Sequence, residues 1–304
     1  MPELPDVALY VEALAERVQG RALEDLRLKS MFLLRSAAPS PAAAIGRRVA
    51  GVARLGKRIA LELGASPRAD EPPRLYLVLH LMIAGRLHWK ARGAALTRRT
   101  DLAAFDFENG TLVLTEAGTK KRASLHVVAD EAALRTHDRG GLEPLEIDAA
   151  TFAARLLSAR HTLKRALCDP RLFSGIGNAY SDEILHRARL SPLQRPENLS
   201  EAELERLYEA VRAVLNEWIE RLRREAAGSF PEKVTAFRDG MAVHGRFGKP
   251  CPVCAAPVQR IIRAENEVNY CARCQTDGRI LKDRVLSQLL KDDWPRSLEE
   301  LEER

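Results

Sequence analysis

The sequence predicts a multidomain α+β protein. An antiparallel β-sandwich with one flanking helix is expected over residues 1–130 and a linker over 131–150. A helical domain follows over 151–243, a cysteine-held module over 244–280, and a helix with an acidic tail over 281–304. Three observations carry this division. An opening helical periodicity gives way at residue 21 to short β-runs separated by turn residues. Beyond residue 150 the apolar spacing returns to three and four. Four cysteines then stand as Cys251-Pro-Val-Cys254 and Cys271-Ala-Arg-Cys274, with sixteen residues between the pairs.

The first helix is expected over residues 6–19, where Val7, Tyr10, Val11, Leu14 and Val18 share a face and Gly20 ends it. The run 75–79 is continuously apolar and 86–89 alternates. Residues 105–114 read as a hairpin turning at Asn109-Gly110. Runs of this length with turns between them predict an antiparallel sandwich. Residues 64–74 and 90–99, rich in proline or charge, read as loops.

In the second half, 151–159, 162–168 and 179–188 read as short helices, with Gly175-Ile176-Gly177-Asn178 between the last two. Ser200-Glu201-Ala202-Glu203 is a capping box. It opens a long helix with Leu204, Leu207, Val211, Leu215, Trp218 and Leu222 on one side. Residues 228–243 read as a connection, 281–290 as a last short helix, and 297–304 as an acidic tail without fixed structure.

A chain of 304 residues, 46% apolar, has the material for two domains with real cores. Its net charge of +6 and pI near 9.2 favour an anionic partner, nucleic acid ahead of a membrane surface. The first twenty residues carry Glu3, Asp6, Glu12 and Glu16 and no basic n-region, which argues against a secretory signal. No apolar run reaches membrane-spanning length. A cytoplasmic monomer that does not act at a membrane is expected.

Two C-x-x-C pairs at this spacing point to one structural zinc, since tetrahedral Zn²⁺ takes four thiolates. Two disulfides are the alternative, and they require an oxidising compartment. The remaining cysteine, Cys168, lies in an apolar helical run and is expected as a buried, inert thiol.

The chain begins Met1-Pro2-Glu3-Leu4-Pro5-Asp6. With Met1 removed, Pro2 presents a secondary amine, and an α-amino group has an ordinary pKa of about 7.7–8. A large fraction is then uncharged and nucleophilic at neutral pH. Glu3 sets a carboxyl one residue away, so the pair can act as nucleophile and proton donor on one carbon. A stiff terminal proline beside a solvated glutamate is the competing reading. Asn178, after two glycines and at a helix start, is either a phosphate site or a simple cap.

Four segments, spanning nearly the whole chain, together resemble the formamidopyrimidine-DNA glycosylase/endonuclease VIII family of base-excision repair enzymes. They are the opening MPELPD, Gly56-Lys57-Arg58, the run LKRALCDPRLFSGIGNAYSDEIL, and His244-Gly245-Arg246 followed by the four cysteines and Gln275. The resemblance implies a helix-two-turn-helix domain and a β-hairpin zinc finger holding Cys251, Cys254, Cys271 and Cys274. It implies a bifunctional DNA glycosylase/AP lyase acting on damaged DNA, double-stranded or single-stranded, with no organic cofactor. Pro2 would attack the sugar, Glu3 assist ring opening, and Lys57 contact the backbone beside the lesion. Lys164, Asn178 and Arg246 would bind DNA, and Ile83 would fill the gap left by a flipped base. The cationic iminium formed by Pro2 would permit β-elimination and, in the family, δ-elimination.

Departures leave parts of this open. Ile83 stands where the family's HLGMSG has methionine, and Glu116–Arg122 does not match its DPRRFG loop. Asn266 replaces a zinc-finger arginine, with Arg263 and Arg273 as candidate substitutes, and Asp6 replaces a glutamate. Opposite-base preference and δ-elimination are therefore unassigned, and oxidised pyrimidines join oxidised purines as candidate lesions. A damaged-DNA-binding protein without turnover is the alternative function. A zinc-stapled RNA-binding factor is a third.

Overall fold

The structure, a computed structural model, describes residues 1–65, 72–232, 234–235, 238–263, 266–283, 289 and 294–302. The chain forms two compact units. The first combines Met1–Arg139 with Trp218–Thr235, and the second combines Gly140–Glu217 with Ala236–Arg304.

In the first unit, helix α1 (Leu4–Val18) begins two residues earlier than the apolar spacing indicates. Glu3 has extended backbone and caps the helix, and the Asp6 carboxylate accepts the Glu3 N–H at 2.9 Å. Pro5 sits in the first turn, where its missing N–H costs nothing. Val7, Tyr10, Leu14 and Val18 are fully buried, as the periodicity requires.

The strands are β1 (Asp25–Leu28), β2 (Val49–Leu55), β3 (Arg58–Leu63), β4 (Leu75–His80), β5 (Gly85–Lys90), β6 (Asp101–Phe107), β7 (Gly110–Glu116) and β8 (Ser124–Val128). They form two antiparallel sheets, ordered β1-β6-β7-β5 and β2-β3-β4-β8. α1 packs on β2 and β3. Leu75, Leu77 and Leu79 enter the shared core. Tyr76 and Val78 face the other way, where Ala133 and Leu134 of a short helix α2 (Glu131–Arg135) cover them. Both faces of β4 are thus buried, which explains its unbroken apolar run.

The 105–114 hairpin turns at Glu108-Asn109, one residue before the expected position. Gly110 is the first residue of β7, and a Cβ there would lie 2.6 Å from the Trp89 ring. Its glycine serves that close approach rather than the turn. Two described side chains of the 228–243 connection also join this core. Phe230 and Val234 are buried with the sandwich, and the Phe230 ring lies 5.8 Å from Tyr10 and 6.3 Å from Trp89.

The second unit contains α3 (Ala149–Leu157), α4 (Leu163–Cys168), α5 (Asn178–Ala188) and the start of α6 (Glu201–Ala226). It also contains the hairpin β9 (Val258–Arg263) and β10 (Asn266–Cys271), then α7 (Ala272–Thr276) and α8 (Leu298–Glu302). The α6 capping box forms in both directions: Glu203 N–H donates to Ser200 Oγ at 3.3 Å, and Ser200 N–H to Glu203 Oε2 at 2.9 Å. α6 from Trp218 onward belongs to the first unit, although the sequence places it with the helical domain. Of the expected helix over 281–290, residues 284–288 and 290 lie outside the described residues. In the described part of the acidic tail, Leu298 is buried and opens α8, so one apolar side chain anchors the charged turn.

Candidate active site

The amino end of the chain is enclosed. Pro2 and Glu3 are buried at the N-terminus of α1, where the helix dipole is positive. The Met1 amine is held below its ordinary pKa, chiefly by burial. Glu3 and Asp6 oppose that shift, while the charges of Arg86 and Lys57 add to it.

Lys57 occupies a two-residue turn between β2 and β3, with Gly56 at φ 62°. Glu3, Asp6, Lys57 and Arg86 thus lie within electrostatic reach of one amine, next to which Pro2 follows in the chain. Ile83 projects from the turn between β4 and β5 and is 56% exposed. Backbone fixes that turn: Met82 is left-handed at φ 51°, and a Cβ on Gly85 would meet the Leu81 carbonyl oxygen at 2.2 Å. Arg86 donates from Nη1 to the carbonyl oxygens of Ile83, at 3.1 Å, and Gly85, at 2.6 Å.

Arg86 thus bonds to the Ile83 turn while its charge acts on the amine, a placement not visible in its alternating strand pattern. His80, at the end of β4, pairs across the sheet with Arg58. Burial first, then Arg58 and Lys57, push its pKa down to about 4, so it is neutral at pH 7. In the loop after β7, Lys120 and Arg122 are exposed, and the Lys121 ammonium donates to the Glu116 carbonyl.

A second cluster lies in the second unit. Lys164, on α4, is buried rather than displayed. Its Nζ donates at 2.5 Å to Asp182 Oδ1 and at 2.5 Å to the Asn178 carbonyl oxygen. Asp182 Oδ2 accepts from His244 Nδ1 at 2.8 Å. Glu183 beside it receives the backbone N–H groups of Ala242, Val243 and His244.

Gly175 is left-handed at φ 80° and Gly177 is the N-cap of α5, so Asn178 opens that helix as expected. The Asn178 side-chain amide donates to the Glu267 carbonyl oxygen of β10 at 2.8 Å. Arg246 Nη2 donates to the Pro250 carbonyl oxygen at 3.1 Å. Arg273 is exposed on α7. The side chains of Arg263 and Asn266 lie outside the described residues.

The four cysteines converge, with all their sulfur atoms within 4.8 Å of one another. Cys251 and Cys274 are 3.9 Å apart and Cys254 and Cys271 3.4 Å, too far for disulfide bonds. A tetrahedron with Zn–S bonds of about 2.3 Å has edges of about 3.8 Å. The donor set and its spacing fit zinc.

Three family models match the chain. The formamidopyrimidine-DNA glycosylase N-terminal domain covers 1–124, the H2TH domain of the same enzymes 141–227, and the zinc finger found in FPG and IleRS 248–276. A formamidopyrimidine-DNA glycosylase of Heliobacterium modesticaldum is 33% identical over 289 residues, covering 90% of this chain and 100% of the relative. The chain belongs to the formamidopyrimidine-DNA glycosylase family. A second such family enzyme, from Thermus thermophilus, is 34% identical over 286 residues, covering 91% of this chain and 100% of its own.

Among solved structures, the Lactococcus lactis family member in complex with DNA containing an abasic site superposes with a TM-score of 0.77. It is 23% identical over 90% of this chain and 99% of that one. Another complex of the same protein holds DNA with an oxidised pyrimidine, with a TM-score of 0.77 and 24% identity over 90% of this chain and 100% of that one. The fold is therefore that of the family, with antiparallel sheets, an H2TH helical domain and a hairpin zinc finger. One structural zinc belongs to the Cys251, Cys254, Cys271 and Cys274 cluster.

Proposed function

We propose that this family member excises damaged bases through the ring nitrogen of Pro2, exposed once Met1 is removed. By its family it is a base-excision-repair DNA glycosylase with AP lyase activity. The observation that supports the route is the buried, pKa-lowered amine at the positive end of α1, with Glu3, Lys57 and Arg86 around it. Loss of Met1 moves that amine one residue inward, onto a proline that is itself buried.

Burial disfavours the charged form of the nitrogen and so favours the nucleophilic one. The nitrogen bonds to C1′ of the extruded nucleoside as the C1′–base bond breaks, and the proton the ring nitrogen gives up goes to the departing base. A proton from Glu3 reaches the ring oxygen as the C1′–O4′ bond opens, leaving a cationic iminium. That electron sink acidifies C2′, and loss of its proton expels the 3′ phosphate. The termini of the product tell whether the 5′ phosphate is lost as well, by δ-elimination.

Lys57 neutralises a backbone phosphate beside the reacting sugar. Ile83 occupies the space the base vacates, since an exposed apolar tip on a rigid turn is suited to wedging a base stack. Asn178 and Arg246 hold the DNA from the second unit, and Lys164 acts there through Asn178 rather than by touching the strand. The substrate is damaged duplex DNA, with single strands accepted, bound by a monomer in the bacterial-type cytoplasm and nucleoid.

A second reading, a lesion-binding protein with little turnover, draws on the bond that ties the Asn178 amide to the Glu267 carbonyl. Borohydride reduction with DNA containing an abasic site decides between them. The first reading expects a covalent adduct whose mass maps to Pro2, and its near loss in Pro2→Gly. No adduct from protein with a verified free Pro2, together with tight, salt-sensitive lesion binding, establishes the second.

A further inference from the structure

His186 lies on α5, eight residues after Asn178, or about 12 Å along the helix at 1.5 Å per residue. It is one of two buried histidines of the second unit, with 6% of its surface exposed. Its Nε2 lies 3.3 Å from the sulfur of Cys251, itself 3% exposed. The Val253 backbone N–H reaches the same sulfur at 3.4 Å.

A zinc-bound thiolate is an acceptor only, so a ring nitrogen at this distance must carry the proton. Four thiolates around one Zn²⁺ leave a net charge of −2 on a largely buried cluster. Each N–H aimed at a sulfur spreads that charge and fixes the ligand's direction. The imidazole is not a fifth ligand, because the four sulfurs already complete the tetrahedron.

We infer that His186 is a positioning residue of the zinc centre, donating from Nε2 to the Cys251 thiolate and fastening the metal module to α5. The fastening has companions. Gln275 accepts the Cys271 N–H at 2.8 Å and donates to the Leu190 carbonyl oxygen, just beyond α5, at 2.9 Å. At the other end of α5, Asn178 holds the Glu267 carbonyl. Helix and zinc hairpin are thereby joined at both ends, and among the described residues His186 is the residue of α5 that reaches a ligand sulfur. Loosening it releases the metal and then the hairpin strand that Asn178 grips. No motif of the sequence marks this residue, since a histidine in a helical run reads as ordinary core.

The test uses the full, zinc-loaded chain and measures zinc release to excess EDTA with a colorimetric zinc indicator. His186→Phe keeps the ring and removes the donor. Its release should be about 10-fold faster or more, the usual cost of losing a second N–H partner to a ligand. His186→Gln places an amide N–H where Nε2 was, and it should stay within about 3-fold of the native rate by the same hydrogen-bond argument. Release from His186→Phe at the native rate, or equal acceleration in both variants, overturns the inference.

A measurement on the unaltered protein stands independently of variant folding. ¹⁵N NMR of the zinc-loaded chain should show the His186 ring as the Nε2–H tautomer. A bare Nε2 with the proton on Nδ1 overturns the proposal. Neither readout depends on glycosylase activity, so this inference and the Pro2 chemistry fail separately.

Discussion

Replacing Lys164 by Met separates two roles for this lysine. Its ammonium is nearly out of solvent and lies 2.5 Å from Asp182 Oδ1, a carboxylate with no exposed surface. Removing one partner of a buried pair costs about 3–5 kcal/mol, because the other charge is left uncompensated. Asp182 would retain the His244 ring at 2.8 Å, which places the expected loss at the lower end, about 3 kcal/mol. For a domain of this size each kcal/mol moves the midpoint by about 2–4 °C, so Tm should fall by about 6–12 °C.

Asn178 would also lose the donor to its carbonyl, and DNA affinity should drop with little change in salt dependence. Lys164→Met/Asp182→Leu should recover part of the stability, since a matched apolar pair carries no stranded charge. Thermal unfolding and DNA binding across a salt series supply both readouts. A Tm within about 1 °C of native, with the slope of log K against log salt reduced by about one, would refute the bracing role. It would make Lys164 a direct phosphate contact.

Two further outcomes follow from the same geometry. The folded pKa of His80, about 4, lies below the ordinary 6.5. Its contribution is therefore complete above pH 6.5 and is lost as pH falls toward 4, by at most about 3 kcal/mol. Urea midpoints of native protein and His80→Gln should converge across that window, and parallel curves would contradict the assignment. For the metal, elemental analysis should find one zinc per chain. Its removal should speed amide exchange at Cys271 and Gly245, whose N–H groups are held by Gln275 and Asn269, and weaken DNA binding.

What could be read from the sequence was what short spacings determine. The α1 face, the Ser200 capping box and the paired C-x-x-C turns all depend on residues within one or two helical turns of each other. The bonds that give Lys164 its role do not, because Asp182 and His244 are distant in sequence. A lysine in a helical run has no local mark of burial. The expected start of α1 at residue 6 lies two residues late because the apolar spacing begins at Val7, whereas the Asp6 carboxylate reaches back to cap the chain at Glu3. Asn109-Gly110 carries the hairpin signal, but Trp89 decides what the glycine is for. Arg86 and His186 were invisible as functional residues for a common reason. Each acts through an atom supplied by another segment, an amine in one case and a sulfur in the other.

The return of Trp218–Thr235 to the first unit bears on how this enzyme can be dissected. A fragment stopping at Arg139 contains every strand of the sandwich but not Phe230 or Val234. Emptying an aromatic site in a packed interior alone costs about 3–5 kcal/mol, a large part of what holds most small proteins together. The amino-terminal half is thus not a detachable cassette. The sandwich core is complete only once residues 230 and 234 have been added, so its opening helix and its last apolar side chains are made far apart in the chain.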